Sequence, residues 1–496
     1  MMGKGTAIKI SPLLPRDCHL LREEKRYMLT YTEPARDIPV LGEYDVIVVG
    51  GGSAGCAAAL SASRHGARTL LLERYGYLGG AMVSQLVGTI LSTNGVDFQG
   101  VWHEFMVEMR KRGGTSELVR LHSGDIGGAV DPEIAKHVWD AMLSRAGVDV
   151  LHHTQVSDAI IENGRMEGVV VETIAGRSAV FGRRVIDCTG DGAVCARAGV
   201  PWEQGDGDHK WAMASTTIFR MGNARKPEGF PSPDHLKLLE ENTKRAIEGK
   251  EYSTPIITSG RAQGYARKWR GWTAPPHRVE TTHVTGRVLE VDPLDPWDLT
   301  RAEREGREQA WQVQDYYCRY APGYEGAYLL DTSAHTGIRS SRRIKGLVRV
   351  CREDVLALRK YPDGIARSSW RVDIWPADSY TALPDAYTDD EWKSRINGGD
   401  YFDIRYGCLV AEGVDNLLVA GRCISADHWA QSSLRIQQTC HSTGQAAGMA
   451  AALSLGDGVT PRELDARKLV DQLEEDRAGV EHAFEILKDL PIAPRS

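Results

Sequence analysis

The chain has 496 residues and a formal charge of −7 at pH 7, with 42% hydrophobic and 26% charged residues. This composition is typical of a globular protein and argues against a fibrous repeat or a disordered chain. At roughly 100–200 residues per domain, the length predicts two or three structural units. The mild negative charge gives no general attraction to nucleic acid or to an anionic membrane, and the sequence shows neither a membrane span nor an export signal. We therefore expect a cytoplasmic protein.

The nine cysteines are scattered along the chain, and no two of them form a C-x-x-C pair. This pattern argues against a disulfide framework, a zinc ribbon and a cysteine-ligated iron–sulfur cluster. We expect no bound metal. Any redox chemistry must therefore come from an organic cofactor.

The strongest local pattern begins at residue 45. Residues 45–49 form an apolar run, which predicts a strand buried on both faces. A glycine-rich turn follows, then small residues that suit a helix packed closely on a sheet, and then a second apolar run at 69–72 that ends in Glu73. The segment therefore predicts a strand, a turn, a helix and a second strand.

The turn has the spacing G-x-G-x-x-G, formed by Gly50, Gly52 and Gly55. In a dinucleotide-binding turn the first glycine permits the tight turn, the second lets a diphosphate approach the backbone, and the third lets the helix pack on the strand. The amino end of the helix offers free amides and partial positive charge to the phosphates. Glu73 would accept hydrogen bonds from ribose hydroxyls, and its charge argues against a 2′-phosphate. A structural turn without a ligand is the alternative interpretation.

Later segments complete the predicted fold. Short strands are expected at 159–161, 168–172, 179–181 and 185–188, with tight turns at 163–164 and 175–176. Helices are expected near 235–247 and 300–317, within a less regular region. The remaining elements are a buried strand at 416–420, a small-residue helix at 444–452 and a packing helix within 461–487.

The residues after the second strand indicate which dinucleotide is bound. Arg74 is followed by a second glycine pair, Gly79 and Gly80, where a ligand longer than a single nucleotide would lie. A late strand that exits at Gly421 and Arg422 would close the site from the other end of the chain. One FAD is the simplest explanation of these two features. No second G-x-G-x-x-G is present, which argues against a dedicated domain for a nicotinamide nucleotide.

Several segments together resemble the bacterial FAD-dependent oxidoreductase family, which is related to the glutathione-reductase-like and fumarate-reductase-like flavoproteins. They are TEPAR at 32–36, GGGSAG at 50–55, LGG at 78–80, DCTGDG at 187–192, TGIRSSRR at 336–343 and LVAGRCIS at 418–425. The resemblance covers about residues 30–455 in matching order. It implies an α/β fold: a Rossmann-type, glutathione-reductase-like FAD-binding domain with a β-meander, and a mixed α+β substrate domain inserted between its first and last segments.

Domain boundaries and cofactor positions follow from this resemblance. The expected units are an amino-terminal extension at 1–43, the first part of the FAD-binding domain at 44–201, the substrate domain at 202–405, the last part of the FAD-binding domain at 406–460 and a helical segment at 461–496. The implied cofactor-binding residues are Gly50, Gly52, Ser53, Ala54, Gly55, Glu73, Arg74, Gly79, Gly80, Val156, Thr189, Gly190, Gly421, Arg422, Thr439 and Gly444. Val156 would contact the adenine, and the helix that contains Thr439 would aim its amino end at the flavin.

Three residues are the first candidates for the chemistry. His428 matches a position where the family has a histidine near the flavin ring, and an unperturbed pKa near 6.5 suits a proton carrier at neutral pH. Arg435 and Arg339 could each clamp a substrate carboxylate or polarise a carbonyl. A histidine that only holds a loop, and arginines in structural ion pairs, are the alternative interpretations. His335 and His441 rank behind these three.

The favoured function is an FAD-dependent dehydrogenase or reductase that transfers a hydride between flavin N5 and a small organic substrate. Tryptophans in the expected substrate domain suit either a ring-containing substrate or an ordinary core. Two other functions stay open: a flavin-dependent monooxygenase using NAD(P)H and oxygen, and a flavin-binding protein that acts in nucleic-acid modification through the basic run at 261–278. The composition argues against nucleic acid as a partner, while the electron acceptor and a homo-oligomeric state are left open.

Overall fold

The computed structural model describes residues 33–120, 125–230, 232–263, 280–382 and 389–478. The strands are β1 Val40–Val49, β2 Thr69–Leu72, β3 Thr89–Ser92, β4 Val119–Arg120, β5 Ile126–Ala129, β6 Asp149–Leu151, β7 Gln155–Glu162, β8 Arg165–Thr173, β9 Gly176–Asp187, β10 Trp202–Gln204, β11 Ile218–Gly222, β12 Thr281–Val284, β13 Tyr328–Thr332, β14 Arg342–Ile344, β15 Gly364–Ser368, β16 Phe402–Arg405 and β17 Leu417–Val419. The helices are α1 Ser53–Arg64, α2 Ala81–Ser84, α3 Gly100–Lys111, α4 Pro132–Arg145, α5 Ala193–Arg197, α6 Pro233–Glu248, α7 Pro255–Thr258, α8 Pro296–Tyr320, α9 Arg352–Ala357, α10 Asp390–Asn397, α11 His428–Leu434, α12 Gln437–Gly456 and α13 Ala466–Ala478.

The central sheet has seven strands in the order β6-β2-β1-β9-β8-β7, and β17 also pairs with β9. Strands β6, β2, β1, β9 and β17 run parallel, whereas β7 and β8 form an antiparallel meander with β9. On β1, Val46 and Val48 belong to one buried cluster, and Ile47 and Val49 belong to another. Because successive side chains point to opposite faces, the sheet is buried on both sides, as the apolar run predicted.

Strand β9 is continuous where the sequence predicted two separate strands. Its first half pairs antiparallel with β8, and its second half pairs parallel with β17. A Cβ at Gly182 would lie 2.7 Å from Ile47 Cδ1, so this glycine allows a close contact with β1 and does not break the strand. Strand β1 likewise begins at Val40, earlier than residue 45, because its first residues pair with β9.

Helices α1 and α12 pack closely through small residues. A Cβ at Gly444 would lie 2.1 Å from the Ala54 carbonyl oxygen, and a Cβ at Gly448 would lie 2.1 Å from that of Ala58. Helix α12 extends beyond the predicted 444–452 at both ends, and the helices predicted near 235–247 and 300–317 lie within α6 and α8. The carboxy-terminal helix begins at Ala466, five residues after the predicted start, and is described to Ala478, while residues 479–487 of its predicted span lie outside the described residues.

The region from 202 to 382 contains smaller sheets and an aromatic core. Strands β11, β12 and β13 form an antiparallel sheet, and β10 pairs with β14. Phe219 of β11 belongs to a buried cluster with Tyr316 and Tyr317 of α8. The boundaries at 202 and 405 stay a prediction.

The tryptophans of the expected substrate domain are divided between surface and core: Trp370 and Trp392 are buried, whereas three others are exposed. Trp202, Trp297 and Trp311 are 40%, 66% and 49% exposed. Most of the basic run at 261–278, with Trp269 and Trp272, lies outside the described residues. Within the described part of the chain, no helix combines the length and apolar character needed to cross a bilayer.

Candidate functional site

A groove lies at the edge of the central sheet where β1, β2, β9 and β17 end. Its empty space is about 1120 Å³, including solvent at its mouth. The carboxyl ends of parallel strands meet at one edge, so this edge collects the glycine turn after β1, Glu73 after β2, Thr189 after β9 and Gly421 after β17.

Most of the residues expected to bind the cofactor line this groove. They are Gly50, Gly52, Ser53, Ala54, Glu73, Arg74, Gly80, Val156, Thr189, Gly190, Gly421 and Arg422. Segments far apart in the sequence therefore form one continuous wall.

The other expected positions, Gly55, Gly79, Thr439 and Gly444, are not among the residues that line the groove. A Cβ at Gly55 would lie 1.7 Å from the Gly50 carbonyl oxygen, so Gly55 allows α1 to pack against the turn. Gly444 allows α12 to approach Ala54 in the same way. Thr439 is fully buried. Gly55 and Gly444 therefore allow close packing of the two helices, and the cofactor-binding roles of all four residues stay predictions.

Gly50 and Gly52 are glycines for different reasons. Gly50 has φ +99°, and a Cβ there would lie 2.7 Å from the Cys188 carbonyl oxygen, so the turn itself requires glycine. Gly52 has φ −83° and ψ −168°, which other residues adopt freely, and the nearest protein atom to a Cβ would be Gly80 Cα at 3.6 Å. The protein therefore does not require a glycine at position 52. Helix α1 begins at this point without a side-chain cap for its free amides.

The Glu73 carboxylate organises the same turn. Its Oε2 accepts a hydrogen bond from the Gly51 amide at 2.6 Å, and its Oε1 accepts one from the Tyr75 amide at 2.8 Å. Burial raises the pKa of Glu73 despite these hydrogen bonds. A carboxylate has about four acceptor positions, so Glu73 retains capacity for a hydroxyl donor in the groove.

Asp187 has a role that the sequence did not reveal. It is fully buried at the end of β9. Its Oδ1 accepts hydrogen bonds from the Thr189 amide at 3.0 Å and hydroxyl at 2.7 Å, and its Oδ2 accepts from the amides of Val194 and Cys195, both at 2.9 Å. Asp187 therefore fixes the loop that carries Gly190. The sequence feature that could have indicated this role is an acidic residue at the end of an apolar strand.

Arg422 links the carboxy-terminal part of the wall to this loop. Its Nη2 lies 2.6 Å from Asp191 Oδ1, its Nε donates to the Gly190 carbonyl at 2.9 Å, and its Nη1 donates to the Ile338 carbonyl. Burial opposes ionisation of Asp191, but Arg422 and the Ser341 hydroxyl outweigh burial and lower its pKa. Asp191 is therefore ionised at neutral pH.

The groove is also lined by four polar side chains, those of Gln85, His335, Arg435 and Gln437. Gln437 is the first residue of α12. Arg435 Nε and Gln437 Oε1 are buried without a hydrogen-bond partner among the described residues. One donor and one acceptor are therefore open to a ligand. The two glutamines were missed because a lone glutamine carries no sequence signal.

His335 and Arg435 are both held in fixed positions. The His335 ring stacks on Tyr75 with centroids 5.5 Å apart and an interplanar angle of 18°. Its Nδ1 lies 3.0 Å from the Thr336 carbonyl oxygen, which assigns the proton to Nδ1 and leaves Nε2 as an acceptor. Burial lowers the pKa of His335, so the ring is neutral at neutral pH. Arg435 Nη2 pairs with Asp373 Oδ2 at 2.9 Å.

Two of the first catalytic candidates are not part of the groove wall. His428 begins α11, and burial lowers its pKa to about 4. Arg339 Nη1 donates to the Ala214 carbonyl and to Thr216 Oγ1, the latter at 2.9 Å. The structure thus brings only Arg435 of the three to the groove, and the catalytic roles of the other two stay predictions.

Three further reactive groups lie in or behind the wall. Cys188 and Cys440 line the groove, and burial raises the pKa of both thiols, that of Cys440 to about 12. His441 lies in α12, where burial lowers its pKa to about 4. At neutral pH the thiols are therefore protonated and the imidazole is neutral.

The sequence model of a family described as FAD dependent oxidoreductase matches residues 45–473. Digeranylgeranylglycerophospholipid reductase from Methanoculleus marisnigri is 28% identical over 206 residues, which are 38% of this chain and 51% of that protein. Thiamine thiazole synthase from Aeropyrum pernix is 33% identical over 168 residues, which are 31% of this chain and 57% of that protein. The matches thus span about half the length of these curated relatives. Among solved structures, a geranylgeranyl bacteriochlorophyll reductase-like protein from Thermoplasma acidophilum aligns over 91% of this chain and 89% of its own, with 14% identity and a TM-score of 0.45.

Proposed function

Because this chain belongs to the FAD dependent oxidoreductase family, we propose that the groove at the edge of the central sheet holds its FAD, and that the enzyme oxidises or reduces a small organic substrate by hydride transfer. The chain is an enzyme of this family, and FAD is its cofactor. The diphosphate would lie against the turn at 50–54, the adenosine near Glu73 and Val156, and the flavin ring beside the amino end of α12.

The main support for this position of the FAD diphosphate is the open space at Gly52. The backbone there is ordinary, and no protein atom comes closer than 3.6 Å to the position of a Cβ. A diphosphate pressed against the backbone accounts for a glycine that the protein itself does not need. The uncapped amides of α1 supply hydrogen-bond donors and partial positive charge at the same place.

The polar groups at the amino end of α12 suit the flavin ring of FAD. FAD supplies two-electron redox chemistry at flavin N5. Arg435 Nε and Gln437 Oε1 offer one donor and one acceptor, and α12 begins without a side-chain cap, so its first amides bring partial positive charge. His335 Nε2 can take a proton from a substrate hydroxyl or amine, because its Nδ1 is engaged with Thr336. We therefore place the proton acceptor at His335.

Anaerobic reduction tests this proposal. The FAD-loaded enzyme is incubated with a panel of alcohols, amines and hydroxy acids while the visible flavin absorption is followed. A substrate should bleach the wild type, and His335→Gln should retain FAD but be reduced about 10²–10⁴-fold more slowly. His428→Gln tests the other histidine candidate in the same assay, and slow reduction of this variant alone would assign the proton carrier to His428. Reduction of His335→Gln at the wild-type rate would remove His335 from the chemistry.

Two further assays test the alternative functions, those of a monooxygenase and of a protein that acts in nucleic-acid modification. Substrate-stimulated consumption of NAD(P)H and oxygen with a hydroxylated product would identify a monooxygenase. Salt-sensitive RNA binding would indicate a role in nucleic-acid modification. A cytoplasmic location and a homo-oligomeric state stay predictions.

A further inference from the structure

Arg435 and Gln437 stand on either side of the junction between α11 and α12. Arg435 directly follows the last residue of α11, and Gln437 is the first residue of α12. Both residues line the groove. Arg435 Nε and Gln437 Oε1 are buried atoms without a hydrogen-bond partner among the described residues. Because buried polar groups are normally hydrogen-bonded, these two atoms are the ones that a ligand in the groove would satisfy.

The side-chain amide of Gln437 is held in one orientation. Its Nε2 donates a hydrogen bond to the Val87 carbonyl oxygen at 2.7 Å. Only the NH₂ group can donate to a carbonyl, so the atom without a partner is the amide oxygen. Gln437 therefore offers a ligand a hydrogen-bond acceptor.

The Arg435 guanidinium is fixed by Asp373. Its Nη2 donates to Asp373 Oδ2 at 2.9 Å and to the Asp373 carbonyl oxygen at 3.2 Å. Asp373 is held in turn, because its amide donates to Ser432 Oγ and its Oδ1 accepts from Trp375 Nε1, both at 3.0 Å. The ion pair already balances the charge of Arg435, so the remaining Nε–H suits a neutral acceptor better than a second carboxylate.

The donor and the acceptor together define the chemistry of the ligand. A group that satisfies both must present a hydrogen-bond acceptor beside a donor, as the edge of a ring imide does. The pyrimidine part of the flavin has this pattern, because its N3–H lies between the C2 and C4 carbonyls. The adenine of FAD also has a donor beside an acceptor, but the proposed position of the adenosine is near Glu73 and Val156.

We propose that Arg435 and Gln437 recognise the pyrimidine edge of the flavin. Gln437 Oε1 accepts a hydrogen bond from flavin N3–H, and Arg435 Nε donates to a carbonyl oxygen beside N3. The inference rests on the proposed function, which puts the flavin ring beside the amino end of α12. It gives Arg435 a role in orienting the cofactor in place of the substrate contact that the sequence suggested.

A cofactor analogue blocked at N3 tests the inference without a mutation. FAD and 3-methyl-FAD are titrated into the full chain freed of FAD, and the flavin fluorescence reports binding. The methyl group removes the donor and leaves the Gln437 acceptor unpaired, so 3-methyl-FAD should bind at least about tenfold more weakly than FAD. The control is 8-chloro-FAD, which is altered on the benzene ring of the flavin and should bind as FAD does. Equal affinities for FAD and 3-methyl-FAD would overturn the inference.

A variant of Gln437 assigns this preference to the side chain. Gln437→Ala removes the acceptor and leaves room for a methyl group, so its preference for FAD over 3-methyl-FAD should fall below about threefold. Gln472→Ala is the matched control, because the Gln472 amide also donates, to Glu475 at 2.9 Å, but Gln472 does not line the groove. The preference is a ratio within one protein, so a general loss of stability does not alter it. An undiminished preference in Gln437→Ala would contradict the contact.

Two thioflavins test the Arg435 contact. Sulfur accepts a hydrogen bond more weakly than oxygen does, so either 2-thio-FAD or 4-thio-FAD should bind the wild type about threefold or more weakly than FAD. Arg435→Lys keeps a cation for Asp373 but lacks the planar Nε–H donor, and it should bind both analogues within about twofold of FAD. Equal binding of FAD and both thioflavins to the wild type would remove Arg435 from the contact.

The same titrations separate this inference from the proposed function. A chain that binds FAD and 3-methyl-FAD equally tightly loses the contact with the pyrimidine edge and keeps FAD as its cofactor. Wild-type FAD affinity in Gly52→Ala would instead contradict the proposed position of FAD, whatever the result with 3-methyl-FAD.

Discussion

The backbone amide of Gly51 donates a 2.6 Å hydrogen bond to the Glu73 carboxylate. The residue expected to meet a ribose thus also fixes the turn expected to meet a diphosphate. Because one carboxylate serves both halves of the adenosine diphosphate site, we expect the shape of the turn and the affinity for FAD to change together.

Glu73→Gln should lower both stability and FAD affinity. A glutamine offers one acceptor oxygen, so the amide of Gly51 or that of Tyr75 faces an NH₂ group and loses its partner. We expect a loss of about 1–3 kcal/mol in the free energy of unfolding of the apoprotein and a FAD dissociation constant raised by about tenfold or more. Urea unfolding and FAD titration measure the two effects. Glu172→Gln, at an exposed position on β8, is the control, and matching values for both variants would contradict the role of Glu73.

Gly444→Ala and Gly448→Ala should separate packing from cofactor binding. At either position a methyl group would lie 2.1 Å from a carbonyl oxygen of α1, so each variant should lose about 1–3 kcal/mol of stability. Ala54, the neighbour of Gly444, lines the groove, whereas Ala58, the neighbour of Gly448, does not. Only Gly444→Ala should therefore weaken FAD binding. Equal FAD affinities in the two variants would show that α12 does not position the turn.

Asp97 should make the protein less stable as the pH rises. The residue is 1% exposed, and burial raises its pKa to about 6, although the Ser92 hydroxyl donates to it at 2.5 Å. An unfolded aspartate ionises near pH 3.9, so the folded state binds the proton more tightly and stability is lost between pH 4 and 6. The difference in the free energy of unfolding between Asp97→Asn and the wild type should be about 2–3 kcal/mol more favourable to the variant at pH 8 than at pH 4. Urea unfolding at both pH values measures this, and a pH-independent difference would contradict it.

His441 should make the protein less stable as the pH falls. Burial among Trp102, Phe105 and Trp139 lowers its pKa to about 4, so the unfolded chain takes up a proton near pH 6.5 that the folded chain does not accept. Its stabilising contribution is present above pH 6.5 and is lost as the pH falls towards 4. His441→Phe should reduce the loss of unfolding free energy between pH 7 and 4.5 by about 2–3 kcal/mol. Parallel unfolding curves of the variant and the wild type across this range would refute the account.

Much of the fold was predictable because its signals are local. The strand, turn and helix at 45–62 and the position of Glu73 depend on adjacent residues and a short spacing, and the structure contains them. The continuity of β9 was not predictable from Gly182 alone. That glycine is explained by a contact with Ile47, which only the assembled sheet reveals.

The contacts of the polar side chains in the groove were likewise not predictable from the sequence. The stacking of His335 on Tyr75 and the pairing of Arg435 with Asp373 join residues distant in sequence, and no spacing rule connects them. His428 matched a family position, yet it does not line the groove. Sequence order therefore predicted residues that share one groove, whereas the positions of individual side chains in it depend on the assembled fold.

FAD affinity at Gly52 tests the central claim most directly. Gly52→Ala is compared with Gly456→Ala, because neither position has positive φ and neither leaves a new Cβ within 3.4 Å of a protein atom. The account predicts that both variants fold as the wild type does, that Gly456→Ala binds FAD normally, and that Gly52→Ala binds it about tenfold or more weakly. Wild-type FAD affinity in Gly52→Ala would show that the diphosphate does not lie against this turn.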